Sequence, residues 1–263
     1  MPFTPEMRRK VDQIRDYLYG GGYPDPLSNA EQLSFLFFFY LIEGLDAANL
    51  RHSKAIGRPY HFRANRFQDW GDNWIGWRQY KAMAGSGELG DMGAHRIDYA
   101  HLLIGRISRV VGLTKLLLPE RVAPDGQPRP PADVEDWVAF ITEFESGVTG
   151  VFEITKLATG RGSGGKSLDY VEVNGDEGSI VYRLHTPHQI EIGSKGGTME
   201  VRQLDREWLT VPGTPRDPAQ GDPLTVFRYD QSFEFISAIR EGRAATPSFR
   251  EGAQCQAVID AIL

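Results

Sequence analysis

Short runs of alternating apolar and polar residues recur from Tyr60 to Val211, and they constrain the fold more than any other feature of the chain. They lie at Tyr60–Phe67, Arg109–Leu118, Asp136–Phe144, Thr149–Ala158, Leu168–Val173, Ser179–Leu184, Gln189–Ile192, Met199–Leu204 and Trp208–Val211. A period of two is the signature of a strand with one buried face. Most of the runs are joined by a few turn residues, such as Glu145-Ser146-Gly147 and Asn174-Gly175-Asp176-Glu177-Gly178. A parallel crossover needs about a dozen residues or more, so turns this short dictate antiparallel neighbours. The expectation is an α+β domain, a large and mostly antiparallel open sheet with helices on one face.

Helical spacing predicts the helices. Glu6 to Tyr19 carries Met7, Val11, Ile14 and Leu18 on one side and stops at Gly20-Gly21-Gly22, a C-terminal signal. Ser28-Asn29-Ala30-Glu31 opens a second helix that ends near Gly44, with the residues of a capping box. Its run from Leu33 to Ile42 is apolar on every side, so the helix must be buried all round. That run has about half of the ~20 residues a membrane span needs, and no membrane anchor is expected. Two further helices are predicted at about 223–241 and 249–263. The last reaches Leu263 without a cap residue, which reads as a truncated end. The chain thus divides into a helical segment, 1–54, and an α+β domain, 55–263.

Composition excludes several partners. A formal net charge of −6 with no long basic run offers nothing to nucleic acid or an anionic membrane. The single cysteine, Cys255, rules out an internal disulfide and fits a reducing cytoplasm. Arg8-Arg9-Lys10 is followed by polar residues rather than an apolar stretch, so no secretory signal is read and a cytoplasmic chain is expected. No metal site is expected.

The chemistry concentrates at Gly87-Glu88-Leu89-Gly90-Asp91-Met92-Gly93-Ala94-His95-Arg96-Ile97-Asp98. If a helix starts near Asp91, then Asp91, His95 and Asp98 stand at i, i+4 and i+7 on one face. A carboxylate one turn from an imidazole can orient it and hold its charge, which suits general acid/base work on an alcohol or carbonyl. The same residues also fit a plain structural role, with Asp91 capping the helix, His95 packed in the core and Asp98 facing water.

From about Ile56 to the end, the chain resembles the substrate-binding second domain of the Gfo/Idh/MocA oxidoreductases. The likeness rests on Gly57-Arg58-Pro59-Tyr60-His61, Trp77-Arg78, the Asp91/His95/Asp98 helix, Val173-Asn174-Gly175 with Gly178-Ser179-Ile180, and Phe235-Ile236 through Glu241-Gly242-Arg243 to Pro247-Ser248-Phe249. It implies that Asp91 and His95 are the catalytic pair, with His95 exchanging the substrate hydroxyl proton. It places Asp98 on the same substrate-facing helix and Trp77 and Arg78 along the cleft. It further implies a sugar or cyclitol substrate and NAD or NADP as cofactor. The family's dinucleotide-binding domain is not read in the chain, because Gly20-Gly21-Gly22 follows a helix rather than a strand and no βαβ repeat precedes Asp91. Cofactor-binding residues are therefore unknown, and the isolated chain is expected to be inactive.

Residues 6–54 resemble a different family, the N-terminal helical domain of type I restriction-modification DNA methyltransferase subunits. The likeness runs through Val11-Asp12-Gln13-Ile14 and Tyr17-Leu18-Tyr19-Gly20-Gly21-Gly22-Tyr23-Pro24 to Tyr40-Leu41-Ile42-Glu43-Gly44. No Asn-Pro-Pro-aromatic motif occurs. The junction near Lys54 reads as a fusion, with DNA modification as the alternative function. A second alternative is a non-catalytic oligomerisation module, since a large sheet with one uncovered face tends to pack on a copy of itself as a homo-oligomer.

Gly160-Arg161-Gly162-Ser163-Gly164-Gly165-Lys166-Ser167 matches two phosphate-loop patterns. Both mechanisms need a helix after the glycines, whose N–H groups hold the anion. Leu168-Asp169-Tyr170-Val171-Glu172-Val173 alternates as a strand instead. The expectation is either a solvated loop or a flexible rim of the substrate cleft with Arg161 near the ligand.

Overall fold

The computed structural model describes residues 55–70, 75–123, 125–161, 167–204, 209, 213–217, 223–245 and 247–263. The two N-terminal helices, the junction at Lys54, most of the strand expected at Trp208–Val211 and the glycines at 162–166 lie outside the described residues.

Eight strands form one sheet: β1 (Pro59–Phe67), β2 (Ile107–Lys115), β3 (Trp137–Phe144), β4 (Thr149–Thr155), β5 (Leu168–Gly175), β6 (Gly178–Arg183), β7 (Gln189–Ser194) and β8 (Met199–Gln203). Their order is β2-β3-β4-β1-β5-β6-β7-β8. The short turns build antiparallel hairpins β3–β4, β5–β6, β6–β7 and β7–β8, as their length requires. One pair departs from that rule: β1 runs parallel to β4, with Phe62 opposite Gly150 and Ala64 opposite Phe152. The helical segment and two strands between β1 and β4 provide the long connection that a parallel pair demands.

Alternation along the strands puts Phe62, Ala64, Val138, Phe140, Phe144, Phe152, Ile154, Val171 and Val173 on the buried face. Phe140 stacks on Phe152 at 4.4 Å, and Phe62 lies 5.3 Å from the same ring. Aromatic rings bury more apolar area than any other side chains and add an interaction through their offset contacts. Helices α2 (Ala94–Leu103) and α4 (Phe249–Ile262) cover this face; α2 packs on β1 and on α4, and α4 packs on β2. Between β4 and α4 the chain forms helix α3 (Pro223–Glu241) after β8, and a short helix α1 (Lys81–Ala84) precedes α2. Helix α4 starts at Ser248, whose side chain accepts the Arg250 N–H while Glu251 reaches back to the Ser248 N–H at 2.7 Å. That is a reciprocal capping box.

The Asn174-Gly175…Gly178 turn is glycine-bearing because another segment crosses it. A Cβ on Gly175 would stand 2.0 Å from the Ile56 carbonyl, and one on Gly178 would stand 2.4 Å from that of Ala55. The crossing segment is locked by Asp176, which accepts the Arg58 N–H at 2.7 Å. Among the described residues no helix is long and apolar enough to cross a membrane, and no group of three or more His, Cys, Asp or Glu side chains could hold a metal ion.

Candidate active site

The helix expected to begin at Asp91 begins earlier and more widely. Leu89–Gly93 form a π-helical turn that runs into α2, a feature frequent at functional sites. Glu135, just before β3, organises it. One carboxylate oxygen accepts the N–H groups of Gly87 (2.7 Å) and Leu89 (3.0 Å), and the Glu135 carbonyl accepts the Glu88 N–H at 3.1 Å. The approach is so close that a Cβ on Gly87 would meet the Glu135 carbonyl at 2.0 Å. Glu135, not Asp91, is therefore the carboxylate at the N-terminus of the turn, where unpaired N–H groups and the helix dipole favour a negative charge.

Asp91, His95 and Asp98 do not act as one face. Asp91 and His95 line a cleft of about 530 Å³, together with Trp77, Arg78 and Lys156 and, from α4, Gln256. Asp98 is buried behind that lining, where it accepts the Cys255 thiol at 3.7 Å and ties α2 to α4. The expectation that Asp98 faces water is overturned. Asp98, three residues after His95 on α2, lies on the side that α4 covers.

Trp77 and Arg78 sit on a single 3-10 turn, Trp77–Gln79. The Arg78 guanidinium lies 4.7 Å from the Trp77 ring centre, a cation–π arrangement, and its Nε is 3.7 Å from the Asp91 carboxylate. The carboxylate of Asp91 thus pairs with an arginine. His95 is held toward the neutral imidazole. Burial pushes its pKa well below the ordinary histidine value, and the neighbouring Arg96 and Arg66 push it further in the same direction. A neutral imidazole is the form that can take up a proton.

Arg161 is exposed after β4, and the cleft lining does not include it. Its loop is fixed by Asp69, which accepts the Gly160 N–H at 2.6 Å. Strand β5 follows directly at Leu168, as the alternation predicted. A second G-x-G-x-x-G spelling, Gly85 to Gly90, does open a helix. It follows α1 rather than a strand, and the Gly87 and Leu89 N–H groups are already taken by Glu135.

Sequence reasoning missed two ionisable residues at the site. Lys156 follows β4, is almost wholly buried, and holds Asp136 at 3.5 Å with its ammonium 5.7 Å from the Trp70 ring. Glu88 opens the π turn and is completely buried. Its pKa is pushed up to about 8, first by burial and next by Asp91, against the pull of Lys156 and Arg66. Lys156 had a signal: alternation from Phe152 and Ile154 assigns it to the inward face, where an unpaired lysine is rare. A further buried pair of ion pairs lies under α2, with Asp169 of β5 between Arg66 and Arg96 at 2.5 Å each.

Comparison with known proteins places the fold in a family. Residues 45–181 match the GFO/IDH/MocA C-terminal domain model, a match that begins inside the segment assigned above to 1–54. Levoglucosan dehydrogenase of Pseudarthrobacter phenanthrenivorans is 32% identical over 232 residues, covering 80% of this chain and 58% of that protein. The solved structure of levoglucosan dehydrogenase with NADH and levoglucosan superposes with a TM-score of 0.73 at 28% identity, covering 87% of this chain and 62% of that one. An oxidoreductase domain protein from Kribbella flavida gives 0.71 at 30% identity, covering 86% and 62%. The chain therefore spans less than two thirds of these relatives, and nothing in the matches concerns DNA methyltransferases. The fold is that of a shared domain, and the chain belongs to the GFO/IDH/MocA C-terminal domain family.

Proposed function

We propose that the chain is the substrate-binding and proton-transfer part of an NAD(P)-dependent oxidoreductase acting on a sugar or polyol. The observation that carries this reading is a buried His95 in one cleft with Asp91 and its partner Arg78, where burial favours the neutral imidazole. In alcohol oxidation the hydroxyl proton passes to the His95 imidazole while the carbon gives up a hydride, for which a bound nicotinamide is the acceptor. The imidazolium that forms is flanked by Arg96 and Arg66, which favour its prompt return to the neutral state. Arg78, fixed by Asp91 and Trp77, orients the hydroxyl groups, and the Trp77 ring offers an apolar face to a sugar. The glycine turn at Gly85–Gly90 does not fit a pyrophosphate, because Glu135 holds its N–H groups, and no step is assigned to cofactor binding by these residues. The unit that binds NAD is taken to come from outside the described residues, consistent with the NADH seen in the relative's structure.

A chimera tests the assignment. Fusing the dinucleotide-binding domain of levoglucosan dehydrogenase before about Ile56 should restore NAD-dependent oxidation of levoglucosan. In it, His95→Ala should lower kcat by roughly 10²- to 10⁴-fold, the usual contribution of a positioned general base. An active chimera in which His95→Ala is as fast as its parent overturns the reading.

A role as a homo-oligomer through the sheet is a second proposal. Val111, Ile141 and Val151 stand directly opposite one another across β2, β3 and β4, and all are exposed on the face away from the helices. Contiguous apolar surface of this kind marks interaction sites. Sedimentation of the intact chain should give a multiple of 29.5 kDa, reduced to the monomer by Ile141→Glu.

A further inference from the structure

The turn that carries Asp91 buries a second carboxyl. Glu88 is fully enclosed, and neither of its oxygens meets a hydrogen-bond donor among the described residues. A carboxylate in that setting has lost its hydration and gained no N–H in exchange, so the neutral acid is favoured. The charged groups that face it come from every element packed around the turn. They are Asp91 on the turn, Lys156 after β4, Arg66 in β1 and Glu135 before β3. Two are cationic and two anionic, so their effects oppose one another and burial decides.

We propose that Glu88 is a positioning residue for the cleft: a neutral buried acid that leaves Asp91 as the single negative charge on the Glu88–Gly93 turn and so holds Asp91 against Arg78. The consequence for catalysis rests on the function proposed above; the carboxyl chemistry does not. Asp91 contacts Arg78 at 3.7 Å, both on the cleft wall. When Glu88 ionises, a second negative charge appears one turn below Asp91. The two like charges then repel, and Asp91 is drawn toward protonation and away from Arg78. The pair resembles other sites in which two carboxyl groups are pushed apart in proton affinity by their surroundings, so that one stays protonated while the other carries the charge.

The test is a carbon-13 NMR titration of the unliganded full chain labelled at the glutamate Cδ and aspartate Cγ carboxyl carbons. One glutamate resonance, absent in Glu88→Gln, should titrate near pH 8. The Asp91 resonance, identified by its absence in Asp91→Asn, should move with the same midpoint, and that step should vanish in Glu88→Gln. In Asp91→Asn the Glu88 midpoint should fall by about one pH unit, a tenfold change in proton affinity. A Glu88 resonance that titrates in the ordinary carboxyl range overturns the proposal, as does an Asp91 resonance with no step at the Glu88 midpoint. If Glu88→Gln does not fold, through-bond assignment in the wild type and the Asp91→Asn shift give the same decision. No ligand is present in this experiment, so its failure and the failure of the chimera to oxidise a polyol are separate results.

Discussion

Asp136→Ala should be among the most damaging single changes in the chain. Asp136 has no exposed side-chain surface and joins four groups. One oxygen contacts the Arg121 guanidinium and lies 3.5 Å from the Lys156 ammonium; the other accepts the Leu117 and Leu118 N–H groups at 3.0 and 2.9 Å. Arg121 is fully buried and Lys156 nearly so, at 0% and 2% exposure of the side chain. Removing one partner of a buried ion pair costs about 3–5 kcal/mol, because the remaining charge stays in a medium that solvates it poorly. Two orphaned N–H groups add to this, at about 1–3 kcal/mol each where water does not reach them. Lys156 borders the cleft, so water can approach it, and the net loss is placed at about 4–6 kcal/mol. For a chain of this size that corresponds to a fall in Tm of roughly 10–20 °C. Urea unfolding followed by circular dichroism measures it, with Glu143→Ala as control. Glu143 pairs with an Arg109 that is 77% exposed, and loss of such a surface pair changes stability by about 0.5 kcal/mol or less. If Asp136→Ala costs no more than Glu143→Ala, the buried network is not what holds this end of the sheet.

Two other outcomes are expected. Phe152→Ala removes the ring that stacks on Phe140 and touches Phe62. It should cost about 3–5 kcal/mol in the same urea experiment, against less than about 1 kcal/mol for Ile141→Ala on the exposed face of the neighbouring strand. Acid should weaken the fold through His101, whose pKa burial and Arg106 lower from 6.5 to about 4. The unfolded chain then binds the extra proton between those values, so stability is intact above about pH 6.5 and declines as pH falls toward 4. After allowing for partial exposure the effect is about 2 kcal/mol, and His101→Gln should flatten that part of the stability–pH curve.

Much of the fold was legible because it depends on local rules. The period of two located the strands from β1 to β8 within a few residues, and short turns dictated the hairpins. The parallel β1–β4 pair left no local trace, because partners distant in sequence share no turn to announce them. At the site, residue types and spacing singled out Asp91 and His95, and resemblance added Trp77 and Arg78. All four reach one cleft.

Charge states and directions were not legible in the same way. A sequence lists a carboxylate four residues before an imidazole, but whether they share a face depends on the pitch of the turn. Here Glu135, arriving from before β3, holds the N–H groups that set that pitch. Asp98 was expected beside the ligand and instead meets Cys255, because α4 packs on that side of α2. The sequence by itself determined which neighbouring strands form hairpins, which faces are apolar and which side chains are capable of proton transfer. Only tertiary structure decided which of those side chains lose water, and dehydration is what lowers the pKa of His95 and raises that of Glu88.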